Sequence, residues 1–266
     1  MPEPRPPVAI AVLMDVANFR LSGGEFMHFH LPKPLHGWRE FAGEVGIIVV
    51  GVLIALGAEQ VVEDLHWRHV ASAARESVSG EMDTEFFTAS EMVIAQPCVD
   101  RQLEQVEAAV LAPGPFHPVP SYSEGPMSFA VRAPEKSWSD NVWKSVSEDG
   151  TAAHFDRKTR LGLAIFYSLV EYLREHNARA DELRQRLSAL SRPIQPDAAT
   201  RAGFVADIEQ ARSLYGMMAL ISNQAIGRAE GLGFHPQASD LRAEGSATVN
   251  FCRAHHLPLG KVQRPV

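Results

Sequence analysis

The sequence predicts an all-α chain in which one N-terminal transmembrane helix continues into an extramembrane bundle of about four helices. Three observations carry that prediction. The run VGIIVVGVLIALGA, Val45 to Ala58, is apolar without interruption, and from Phe41 to Val62 only Glu44, Glu59 and Gln60 are strongly polar. Trp38 and Trp67 bracket this segment. Downstream, apolar residues recur at helical spacing over several stretches, and no strand-type alternation occurs. Of the 266 residues 45% are hydrophobic and 21% charged, so most of the chain is expected to fold. A net charge of −7 with no run of five like charges argues against a nucleic-acid partner.

The first 40 residues form an N-terminal lead, with two apolar clusters and no sustained pattern in 1–26 and a short polar stretch from Met27 onward. Gly23-Gly24-Glu25 must be encoded GGN-GGN-GAR, a purine-rich stretch just ahead of the Met27 codon. Met27 is therefore the expected start, with residues 1–26 untranslated. Phe41–Val62 follows as the span: its 21 helical steps cover about 32 Å, close to the hydrocarbon thickness of a bilayer. Trp38 and Trp67 lie about 44 Å apart along such a helix, matching the two interfaces where tryptophan concentrates, and they are the expected interface anchors. At 100° per residue Glu44, Ile48, Gly51, Ala55, Ala58, Glu59 and Val62 share one face. The small-xxx-small step from Gly51 to Ala55 predicts a helix–helix contact there, edged by Glu44 and Glu59. A cleaved signal peptide is the rival within the membrane reading, but Leu56-Gly57-Ala58 is a poor cleavage site and would leave Trp67 unexplained.

The segment EFAGEVGIIVVGVLIALGAEQVVEDLHWR resembles the membrane segment of a group of uncharacterised bacterial single-pass proteins built on domains of unknown function. The matching residues are Glu44, Gly51, Leu53, Ile54, Ala55, Gln60, Trp67 and Arg68. A looser echo covers residues 138–173. The resemblance implies the topology and assigns no activity.

Beyond the span, Val70, Ala74, Val78, Met82 and Phe86 predict that the helix continues to about Ala95, with Pro97 ending it. A second helix is expected from about Cys98 to Ala112 on the stripe Val99, Leu103, Val106 and Val110. Six prolines between Pro113 and Pro134 then mark a non-helical connector over 113–136, draped on the domain. A short helix in SDNVWKSVSEDG should be capped by Ser139 or Asp140 and stop at Gly150. Leu161, Ile165, Leu169, Leu173, Leu183, Leu187 and Leu190 predict a long helix from Asp156 to Ser191, capped by Asp156. Phe204, Ile208, Ala211, Tyr215, Met218 and Ile221 predict another from Asp197 to Arg228, ended by Gly231 and Gly233. The bundle is thus placed in 63–233, and 234–266 is expected to be a loosely structured tail. Lys33 and Arg39 on one side nearly balance Arg68 and Arg75 on the other. A short lead ordinarily stays inside, which puts the bundle in the periplasm.

No catalytic motif is present, so no enzyme and no cofactor are expected. His28, His30 and His36 in the lead, and Cys252 with His255 and His256, fall short of a metal-site pattern. Ser139-Asp140-Asn141 lacks the companion motifs of penicillin-interacting enzymes. Cys98 and Cys252 belong to no CxxC; whether they pair is left open by spacing, and pairing requires a compartment outside the cytoplasm. Of the aromatics Trp138, Trp143, Phe166, Tyr167 and Tyr172, which could line an inter-helix pocket, Trp143, Phe166 and Tyr172 are the candidate lining. The expected function is a structural or interaction protein of the bacterial inner membrane. Its partners would be the bilayer, a second copy through the span, and an unidentified envelope protein. The alternatives are a membrane-anchored ligand-binding or sensory module, and a soluble all-α enzyme in which 45–58 is a buried helix.

Overall fold

A helix of 74 residues, α1 (Trp38–Leu111), dominates the chain. The computed structural model describes residues 37–119, 129–134, 137–234 and 242–263. The proposed start at Met27 and the histidines of the lead lie outside them. The chain divides into two units, residues 1–58 and 59–266.

The described part of the first unit is the start of α1. This helix is long and apolar enough to cross a membrane, and no part of its most apolar 18-residue window, of mean hydropathy 2.3, is buried. Ile47 is 76% exposed and Ile54 67%. The alternative in which 45–58 is a buried core helix does not describe these residues.

In the second unit, α1 turns inward-facing at Ala71. Val78, Met82 and Phe86 are buried, and further on so are Val99, Leu103, Val106 and Val110, the two stripes the sequence predicts. Around this length lie α2 (Asn141–Glu148), a 3-10 turn (Thr151–His154), α3 (Arg157–Leu187), a second 3-10 turn (Ser188–Ser191), α4 (Ala198–Gly231) and α5 (Ala247–Ala254). The described residues contain no strand, only a single bridge between Phe116 and Ile194. The N-terminal amides of α3 and α4 find local side-chain caps: Asp156 accepts from Thr159 N–H and Asp197 from Thr200 N–H. These two helices pack antiparallel. Arg186, near the end of α3, bonds Asp207 near the start of α4 at 3.0 Å. At the other end, a Cβ on Gly162 would come 2.3 Å from Leu232. The buried face of α3 runs through Leu163, Phe166, Tyr167, Val170 and Leu173. Leu161, placed on that stripe by spacing, is 59% exposed, so the inward face is rotated from the expected one.

Two expectations are corrected. Pro97 does not end α1: the helix runs through it as one element. Proline removes the donor that would bond Val93 O and crowds the preceding turn. The C-terminal segment packs against this turn, and Gly260 N–H donates to the neighbouring carbonyl, Ile94 O, at 2.8 Å. The approach is so close that a Cβ at Gly260 would lie 2.7 Å from Val93 O and 3.3 Å from Pro97 Cδ. The second correction concerns the tail. Residues 242–263 are not loose: Ser246 caps α5, and Cys252 in α5 is disulfide-bonded to Cys98 in α1 with the Cα atoms 6.0 Å apart. Gln263 N–H donates to Asn223 Oδ1 at 3.1 Å. The disulfide, the Gly260 contact beside Pro97 and the Gln263–Asn223 bond together fasten the C-terminal segment to the rest of the second unit.

Candidate functional site

In the first unit, Glu44, Gly51, Ala55 and Glu59 (the last at the boundary of the second) are all exposed. A Cβ added to Gly51 would meet nothing within 4 Å, so this face is open to close approach. Trp38 is 78% exposed. Trp67, the other expected anchor, is half-buried and stacks on His154 at 3.9 Å, which ties it to the 3-10 turn after α2.

The densest polar arrangement of the second unit sits where α2 meets α1. Neither Ser139 nor Asp140 supplies the expected side-chain cap at the N2 and N3 amides of α2. Those amides go to Glu81 of α1: Val142 N–H donates to Oε1 at 3.0 Å and Trp143 N–H to Oε2 at 3.2 Å. The Ser139 hydroxyl also donates to Glu81, at 3.0 Å. One turn on, Glu85 accepts from Ser139 N–H at 2.9 Å. Its other oxygen has no hydrogen-bond partner among the described residues, and the side chain is 1% exposed. Burial raises the Glu85 carboxyl to about 7, against the pull of the Ser139 bond and with help from Glu81 and Asp140 nearby. Asp140 has the opposite character. Burial works to raise it, but Lys144 at 2.9 Å and Arg174 at 2.6 Å outweigh that and hold it below the usual range.

Aromatic rings close the cluster. Trp143 stacks on Tyr167 at 5.5 Å and 4°, and Phe166 meets Tyr167 edge-on at 5.1 Å. Burial, with Glu81 next in effect, pushes the Tyr167 hydroxyl upward, so the phenol stays protonated. Of the three residues nominated for a pocket, Trp143 and Phe166 therefore meet through Tyr167 in packed core. Tyr172 lies elsewhere, stacked on His176 at 3.8 Å. Glu81 and Glu85 were not singled out from sequence. The available signal was that both glutamates sit on the same side of the Val78–Met82–Phe86 stripe, too near the buried face for ordinary solvated charges.

Other long-range contacts resemble the Glu81 cap. Arg201 of α4 donates to the carbonyls of Val110, Ala112 (3.0 Å) and Gly114, closing the C-terminus of α1, whose last turn contains no basic residue. Gln102 uses both ends of its amide on the backbone of Arg132, donating to O at 2.9 Å and accepting from N–H at 2.7 Å, which pins the proline-rich connector to α1. Cys252 is committed to the disulfide and is no thiolate ligand, while the ring of His255 lies against Phe251 at 4.4 Å. Comparison of the chain with protein-family models, curated proteins and solved structures finds no match.

Proposed function

We propose that the chain is a single-pass membrane protein whose helical domain lies outside the cytoplasm and acts by contact, with a second copy or with another envelope protein. The observation that carries this reading is the exposed start of α1. Between Phe41 and Val62, twelve large apolar side chains are 40–76% exposed. At roughly 1.5–3 kcal/mol for each such side chain fully buried, covering them is favourable by on the order of 10 kcal/mol. A bilayer covers a segment of this length on every side. The Cys98–Cys252 disulfide supports the extracytoplasmic placement, because such bonds persist in oxidising compartments. The resemblance to bacterial single-pass proteins and the two bracketing tryptophans support the inner membrane.

A non-catalytic role is favoured by what the polar groups are doing. Glu81 spends both oxygens on the amides of α2, and Asp140 is neutralised by Lys144 and Arg174. The open face of Gly51 and Ala55, flanked by Glu44 and Glu59, suits self-association.

Washing membranes at alkaline pH tests the anchor: the full-length chain stays in the pellet if it spans and leaves with the wash if it does not. Cysteine placed at Gly51 should then cross-link to itself in membranes, and cysteine at Gly46, on the opposite side of the helix, should not. Equal cross-linking at both positions would remove the case for a specific contact.

A further inference from the structure

We infer that segment 138–150, which carries α2, is a latch worked by a single proton: it is seated on α1 while the Glu85 carboxyl is protonated and opens locally once that group ionises. Apolar burial holds α2 only weakly, since Val146 is its one buried residue. Polar and aromatic contacts supply the rest. Glu81 takes the Ser139 hydroxyl and the amides of Val142 and Trp143. Glu85 takes the Ser139 amide at 2.9 Å. Asp140 is paired with Arg174 of α3, and the Trp143 ring stacks on Tyr167. The hydrogen bonds of the segment to α1 thus pass through two carboxylates one turn apart.

The charges of that corner decide when the segment is seated. Glu85 is faced by Glu81 from its own helix, by Asp140 from the segment and by the Tyr167 hydroxyl from α3. The cations there, Lys144 and Arg174, are both bound to Asp140, and Arg174 also meets Glu171 at 3.3 Å. An ionised Glu85 is therefore a carboxylate 1% exposed, with one hydrogen bond, two carboxylates beside it and no cation paired with it among the described residues. Water relieves a buried charge so placed. Lifting 138–150 admits it with the loss of few apolar contacts, whereas moving α1 or α3 would break the core at Phe86 and Phe166. With the segment open the carboxyl returns to its ordinary 4.5, against about 7 when burial holds it up. Opening becomes easier as pH climbs between those values and levels off above them. The latch lies wholly within the second unit, so its failure and a failure of the membrane reading are separate results.

Amide exchange of the full chain in detergent micelles, corrected for the intrinsic rate at each pH, reads the latch residue by residue. The open fraction reported by residues 139–148 should rise on the order of 70-fold between pH 5 and pH 8. It should exceed that of residues 211–226 in α4 and depend weakly on urea below the unfolding transition, because a lifted segment exposes little surface. Glu85→Gln, which keeps an acceptor for Ser139 N–H and cannot ionise, should remove the rise. A rise of the same size in Glu85→Gln would overturn the assignment to this carboxyl, as would a parent open fraction level across the two pH values. Exchange of 139–148 in step with 211–226, at the same urea dependence, would overturn the latch, since opening would then be unfolding of the whole unit.

Discussion

Replacing Glu85 by glutamine isolates the cost of keeping one ionisable carboxyl inside the domain. In the folded protein this group titrates at about 7, against an ordinary value of 4.5. Between those two pH values the folded chain holds a proton that the unfolded chain releases. Stability from this group is therefore complete below about pH 4.5, declines as pH rises to about 7, and is level above that. The full fall between 4.5 and about 7, at about 1.36 kcal/mol for each tenfold change in proton affinity, is about 3 kcal/mol. Glutamine keeps the oxygen that accepts from Ser139 N–H and cannot ionise. The effect of the substitution should consequently change by about 2.5 kcal/mol between pH 5 and pH 8, most of the full fall, in the direction that makes the variant relatively more stable at pH 8. Titrating groups away from Glu85 are common to both chains and cancel in that difference, whereas Glu81 and Asp140 act on Glu85 and enter through its own shift. The assay is urea unfolding of the full chain in detergent micelles, followed by tryptophan fluorescence. A difference that stays the same to within about 0.5 kcal/mol across the two pH values would refute the assignment of a buried, protonated Glu85.

Three further outcomes follow from the long-range contacts. Arg201→Met, which preserves the stem and removes the donors, should lower stability by about 1.5–3 kcal/mol, because the carbonyls ending α1 lose a charged partner; urea midpoints measure it. Gly260→Ala should detach the C-terminal segment locally, since its Cβ would press on Val93 O at 2.7 Å, and faster amide exchange at residues 257–263 than at 247–254 would show it. Replacing both Cys98 and Cys252 by alanine opens a link of sequence separation 154 and should cost about 2–5 kcal/mol, visible as a lower midpoint than that of the oxidised parent.

What the sequence made legible was local. Asp156 and Asp197 are followed three residues later by Thr159 and Thr200, whose amides they accept, so both caps lie within one turn of the chain. Val99, Leu103, Val106 and Val110 mark the buried face of α1 because a helix repeats its faces every three to four residues. The unread features all join distant positions. Val142 takes its cap from Glu81, 61 residues away, and no pattern near α2 announces an acceptor from another helix. The rule that proline stops a helix is a rule about the segment alone. At Pro97 it fails, in a turn of α1 against which a segment from far along the chain packs, with Gly260 N–H donating to Ile94 O. A cavity of about 310 Å³ likewise draws on Leu103 of α1, Leu183 of α3 and Ala211 of α4, none of which is unusual in its own stripe.

These distant links converge on α1. Glu81 holds α2, Gln102 holds the connector, Glu107 receives Arg212 of α4 at 2.7 Å, and Cys98 holds α5. A helix that carried only its own stripe would need no such set of partners, since burial of Val78, Phe86 and Leu103 already supplies a driving force. The polar links add direction, which apolar burial lacks. Each is satisfied in one register of α1 against its neighbour, and a slip of one residue would strand Glu81 or Arg201 against unpaired groups at a cost of about 1–3 kcal/mol apiece. The register of the second unit on α1 is thus set by charged and amide groups whose partners lie far off in sequence. Loss of any one of them should cost specificity of packing as well as stability, most of all at Glu81, where three donors share one carboxylate.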